Sequence, residues 1–159
     1  MTSTAVLPLH AIGAPLPADP GAATVRSGFV ELPAEAPYVG RARRFARCLL
    51  RRWGTGADLA DSAVMVVSEL AGNAVRHGAG HLIVAITSEA AVVTVMVTSR
   101  APQRTGEADL GDPCERGRGL GIVAALADHL TVESTDAGWS VRATLTEGSA
   151  AGHGAASDP

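Results

Sequence analysis

Lysine is absent from the chain, so all thirteen of its lysine-or-arginine positions are arginine. A P-loop of the Walker type needs a lysine after its second glycine to reach the β- and γ-phosphates, and that chemistry is excluded. Cysteine is nearly absent too, with only Cys48 and Cys114, far apart in sequence. Such spacing in a chain without a signal-peptide pattern predicts reduced, unpaired thiols and a cytoplasmic protein. No apolar run approaches the length needed to span a bilayer, so no membrane association is expected. Net positive charge is also missing: the formal charge is -3 and the pI about 5.9. Nothing in that balance draws the chain to a phosphate backbone, and no direct nucleic-acid contact is expected. There is no G-x-S-x-G for a hydrolase nucleophile. His77 and His81 are four apart but straddle Gly78-Ala79-Gly80, which removes the helical geometry that a zinc pair needs.

What is present suits one cored domain: 159 residues, 47% hydrophobic and 18% charged. Residues 1–23 are rich in Pro, Ala and Gly without period and read as a flexible leader, and 148–159 read as a tail of the same kind. The folded part is expected over 24–147. Within it the patterning predicts a strand to Leu32, a helix from Glu35 to Trp53, and a helix from Asp58 to His77 with Asp58 as N-cap and Gly78 beyond its end. Strands follow over His81 to Thr87 and Ala91 to Thr98, turning at Ser88-Glu89. Arg100 to Arg116 is a long polar loop of the kind that often serves as a lid. A helix from Gly117 to about His129 and strands Leu130 to Ser134 and Trp139 to Thr146 complete the chain. The order implies an α+β two-layer sandwich, a mostly antiparallel sheet covered on one face by about three helices. On the first helix Arg41, Arg44, Arg47, Arg51 and Arg52 fall off the apolar stripe, either as a solvated face or as a surface for an acidic partner.

Two segments carry chemistry. In Ser68-Glu69-Leu70-Ala71-Gly72-Asn73-Ala74-Val75-Arg76-His77, the residues Glu69, Asn73 and Arg76 lie at i, i+4 and i+7, forming one polar stripe beside the apolar face of Leu59, Ala63, Val66, Leu70 and Ala74. A carboxylate and a carboxamide one turn apart at a core boundary can activate a hydroxyl and ligate Mg²⁺ through oxygen. An ordinary polar flank has the same spacing. The second segment, Gly117-Arg118-Gly119-Leu120-Gly121-Ile122-Val123, brings alternating glycines into a helix start. There the backbone can approach a polyphosphate closely and free N–H groups can hold it. It is not a Rossmann fingerprint, since the spacing is G-x-G-x-G and a polar loop precedes it.

Glu69-x-x-x-Asn73-Ala74-x-Arg76-His77-Gly78 resembles the N box of the GHKL (Bergerat-fold) ATPases. Gly117-Arg118-Gly119-Leu120-Gly121 with Leu126-Ala127-Asp128 is similar to the G2 box of RsbW-like anti-sigma-factor serine kinases. The likeness extends from Phe29-Val30-Glu31-Leu32-Pro33 and Ala42-Arg43-Arg44-Phe45 to Gly138-Trp139-Ser140-Val141. It implies ATP with Mg²⁺ as cofactors, Glu69 as catalytic base and Asn73 as metal ligand and phosphate contact, with Arg76 in the same box. It also implies that Gly117, Gly119, Leu120 and Gly121 shape the phosphate loop, that Arg118 lies near the triphosphate and that Ser140 lies near the adenine. The implied partners are a sigma factor and an anti-anti-sigma (STAS) protein, and relatives of this type often form homodimers.

One position departs from the resemblance. The G1 box of these ATPases places an aspartate after the strand, where it accepts from the adenine amino group. Here the segment reads Val97-Thr98-Ser99-Arg100-Ala101-Pro102, with Ser99 at the aspartate position. Exchanging a charged acceptor for a hydroxyl costs about 1–2 kcal/mol, about five- to thirtyfold in affinity. Arg100 adds a donor where an acceptor is wanted, and the box lacks its glycine. Two functions therefore stand side by side: a protein-serine kinase, or a binding module that regulates by partner exchange without phosphoryl transfer. Histidine-kinase catalytic domains share the superfamily, but residues before Thr24 show no dimerisation helices.

Overall fold

The computed structural model describes residues 24–77, 80–100, 117–135 and 138–148. The leader, the tail after Gly148, Gly78, Cys114 and the 101–116 part of the expected lid lie outside the described residues. Eight elements follow in the order β1 (Arg26–Pro33), α1 (Ala36–Trp53), α2 (Ala57–His77), β2 (His81–Glu89), β3 (Val92–Arg100), α3 (Gly117–Leu126), β4 (His129–Thr135) and β5 (Gly138–Thr146). The strands form one five-stranded sheet in the order β1-β2-β3-β5-β4, and every neighbouring pair is antiparallel. With three helices this is the α+β sandwich that the patterning implies.

Strand alternation builds the core. Leu82, Val84 and Ile86 of β2, Val93, Val95 and Val97 of β3, and Val141, Ala143 and Leu145 of β5 are all buried and occupy one face of the sheet. Against them α2 presents Ala63, Val66, Val67, Leu70 and Ala74, each fully buried. Spacings of three and four keep these residues on one side of the helix. From α1, Ala42, Ala46 and Leu50 join at intervals of four. Met65 stays 48% exposed on the outer side of α2.

Among the described residues no helix covers the other face of the sheet, which is polar at its centre. Thr94 and Thr144 face each other across β3 and β5 with their hydroxyls 3.5 Å apart. In the next row Arg142 reaches the Met96 sulfur at 3.9 Å.

Local boundaries differ from the sequence expectations for identifiable reasons. Gly54 ends α1 in the left-handed region (φ 73°), where a Cβ is costly. After so short a link Gly56 takes the capping place of α2, its carbonyl receiving the Ala60 N–H at 2.9 Å. Asp58 therefore sits in the first turn, where a carboxylate meets the positive end of the helix dipole, rather than at the N-cap. The β2–β3 turn falls at Ala90-Ala91, with Ala90 at φ 51°, so Ser88 and Glu89 remain in the ladder opposite Val93 and Val92. Helix α3 stops at Leu126 because Asp128 is captured by β5: its N–H donates to the Thr144 carbonyl and its carboxylate accepts from Thr146 Oγ1, each at 2.8 Å. His129 consequently opens β4.

All the arginines of α1 are exposed, with Arg41 stacked 5.1 Å from the Tyr38 ring centre. Cys48 is exposed and free. No helix among the described residues is long and apolar enough to cross a membrane. The packing predicts that Leu70→Ala, which empties a fully buried site between α2 and the sheet, lowers stability by about 2–5 kcal/mol in denaturant titration. A loss below about 1 kcal/mol would mean that this helix is not seated on the sheet as described.

Candidate functional site

The seating of α2 decides where its polar stripe goes. Because Leu70 and Ala74 point into the sheet, Glu69 and Asn73 emerge half-buried along the side of the helix, and Arg76 follows one turn later, exposed. The Arg76 guanidinium donates to Asn73 Oδ1, which holds the carboxamide by its oxygen. Arg76 and Asn73 are thus linked, with Glu69 one turn before Asn73 on the same side of the helix.

Helix α3 meets this surface at its first turn. A Cβ placed on Gly119 would lie 2.7 Å from Glu69 Oε2, 3.5 Å from Asn73 Oδ1 and 3.7 Å from Arg76 Nη2. The first distance is too short for any side chain unless the carboxylate moves, so glycine is what allows this approach. The first backbone N–H groups of a helix have no partner inside it and carry the positive end of its dipole. The structure therefore brings Glu69, Asn73, Arg76 and the start of α3 into one place.

Not every glycine of the segment behaves this way. Gly121 is exposed and a Cβ there would meet nothing within 4 Å. Leu120 is half-buried against the core and packs as an apolar anchor for α3. Gly117 and Arg118 open α3, but the Arg118 side chain lies outside the described residues.

Ser99 and Ser140 separate. On β3, Ser99 continues the parity of Val93, Val95 and Val97 and faces the helices, only 1% exposed, its Oγ without a hydrogen-bond partner. On β5 the helix-facing parity is that of Val141, Ala143 and Leu145, which leaves Ser140 on the opposite face. Its hydroxyl lies 3.2 Å from Thr98 Oγ1 there. Ser140, expected near the adenine, is therefore on the wrong side of the sheet to join Ser99, because a strand turns successive side chains to opposite faces. The residue that does join is Trp139, the β5 partner of Ser99 in the ladder and half-buried against the core. Counting by twos back from Leu145 finds it in the sequence.

The register also fixes which end of the sandwich these residues occupy. Helix α2 runs out at His77 and the chain returns into β2 at His81, whose neighbour Leu82 pairs with Ser99, which in turn pairs with Trp139. The C-terminal half of α2, the end of β3 and the start of β5 accordingly share one end.

The donor set suits a metal-bound nucleotide. Asn73 offers a hard amide oxygen of the kind Mg²⁺ takes in small number alongside phosphate and water. Among the described residues no group of three or more His, Cys, Asp or Glu side chains could hold an ion alone. The α3 start offers N–H groups that could hold an anion, and the Ser99 hydroxyl is unpaired.

Gly119→Ala tests the close approach. The clash falls on the flexible end of Glu69, so stability should change by less than about 1 kcal/mol. Nucleotide affinity by calorimetry should nevertheless fall about tenfold or more, since the carboxylate and the helix start are pushed apart. Unchanged affinity in a folded variant would show that the contact does not shape a binding site.

Comparison with known proteins agrees with the geometry. No curated protein matched the chain in a sequence search. A family model described as histidine kinase-like ATPase domain matches residues 32–145, from the end of β1 to the last buried residue of β5. That span contains both segments, the three helices among the described residues and the Ser99–Trp139 pair, and such a domain implies ATP binding. The chain belongs to the histidine kinase-like ATPase domain family.

Proposed function

We propose that this protein is an ATP-dependent protein-serine kinase of the anti-sigma-factor type, acting on an anti-anti-sigma protein with a STAS domain and sequestering a sigma factor. The observation that carries the reading is the contact of Gly119 with Glu69, Asn73 and Arg76, which gathers a base, a metal ligand and an anion site at one point. When bound, magnesium ATP supplies the phosphoryl group to be transferred. Glu69 is the group to take the proton from the acceptor serine hydroxyl as that oxygen becomes the nucleophile. Asn73 would hold the metal by its amide oxygen, and the Arg76 guanidinium that donates to that oxygen here would move off it toward the phosphates. The N–H groups of the α3 start hold phosphate oxygens and favour the negative charge.

A second reading has its own support in Ser99, the neutral hydroxyl where the family's charged acceptor is expected. A site weakened there suits a binding module that exchanges partners without transferring phosphate. Incubation with labelled ATP, Mg²⁺ and a panel of STAS-domain proteins decides between them. The kinase reading expects phosphoserine on one partner and a loss of about 100-fold or more in transfer rate for Glu69→Gln, with nucleotide affinity held within about fivefold. Nucleotide binding without any transfer would leave the partner-exchange module.

A further inference from the structure

The hydroxyl of Ser99, buried and unpaired, lies on the helix-covered face of the sheet at the same end as Glu69, Asn73 and the start of α3. Buried hydroxyls in a native fold nearly always have a partner, and exceptions mark places where something else completes the bond. Its ladder neighbours on that face are Leu82, fully buried, and Trp139, half-buried. An indole and an aliphatic side chain flanking one hydrogen-bonding group is a pairing suited to a flat aromatic ring: apolar contact on the ring, one polar contact at its edge. A negatively charged group does not fit there, since the phosphate-holding features lie on α2 and α3.

We propose that Ser99 and Trp139 read the base of the bound nucleotide, and that they accept guanine as well as adenine. The inference rests on the reading of this site as a nucleotide site. A carboxylate only accepts hydrogen bonds at neutral pH, so it favours the exocyclic amine of adenine and repels the carbonyl oxygen of guanine. A hydroxyl rotates and does either: Ser99 Oγ accepts from the adenine amine or donates to the guanine oxygen. Trp139 adds contact that any purine offers, because every base has a π-face. Discrimination falls when no group in the pocket is left unpaired by the alternative base.

The test measures both binding and base choice in the full chain. A Trp53→Phe background leaves Trp139 as the sole indole of a chain that has two, so its fluorescence reports the base end alone. Titrations with ADP and with GDP, each with Mg²⁺ and repeated by calorimetry, should quench that signal and give dissociation constants within about fivefold of each other. Ser99→Ala should weaken both nucleotides alike, and Ser99→Asp should shift the ratio at least about tenfold toward ADP. Wild-type protein that prefers ADP by more than about tenfold overturns the inference while leaving the nucleotide site intact. An unchanged ratio in a folded Ser99→Asp variant removes Ser99 as the reader. Binding of neither nucleotide at millimolar concentration overturns the site reading itself, and this inference with it.

Discussion

The seating of α2 on the sheet is the constraint on which the rest depends. Its face of Ala63, Val66, Val67, Leu70 and Ala74 is fully buried against three strands, so the rotation of the helix about its axis has no freedom left. A helix advances 100° per residue, and Glu69 and Asn73 each neighbour one of those anchors directly. Their direction is therefore a consequence of core packing rather than of any polar contact. Loosening the core would misdirect the site before it unfolded the protein.

Helix α3 completes the site by coming close, and closeness here is a matter of what is missing. At Gly119 the absent side chain lets a peptide backbone rest on a carboxylate and a carboxamide. The arrangement sets like against unlike: an acidic and an amide oxygen on α2 face the electropositive start of α3, a favourable pairing in the free protein. Arg76 holds Asn73 by its oxygen on the same surface.

Much of this was legible in the residues. The two helical stripes, the β-branched strands and the Glu69–Asn73–Arg76 spacing all follow from periods of 3.6 and 2, and each element appears where those periods place it. What was not legible came from contacts between elements. The end of α3 is set by Asp128 pairing with β5, which no local propensity announces. The place of Asp58 depends on how tightly Gly54 turns the chain. Ser140 is a different case: the resemblance points to a hydroxyl near the adenine, whereas parity along β5 puts Trp139 and not Ser140 on the face of Ser99, since a shift of one residue on a strand is a change of face.

The two faces of the sheet show why the Ser99 hydroxyl has a purpose beyond tolerance. On the open face, hydroxyls occur in partnered rows, Thr94 with Thr144 and Thr98 with Ser140, and solvent is near for any bond left over. On the helix face every other central position of β3 is valine. A serine in that series costs about 1–3 kcal/mol when its hydroxyl stays unpaired, whereas alanine or valine would cost nothing of the kind. Such a penalty is ordinarily removed by selection unless the bound state recovers it. Its position supports that view, since the orphan sits at the end of β3 beside the polar stripe and α3 rather than in the middle of the core. Of the two unpaired buried hydroxyls among the described residues, Thr55 and Ser99, the fold sets Ser99 at the end of the sheet where the proposed base edge would meet it, and a neutral group there trades strength of binding for breadth.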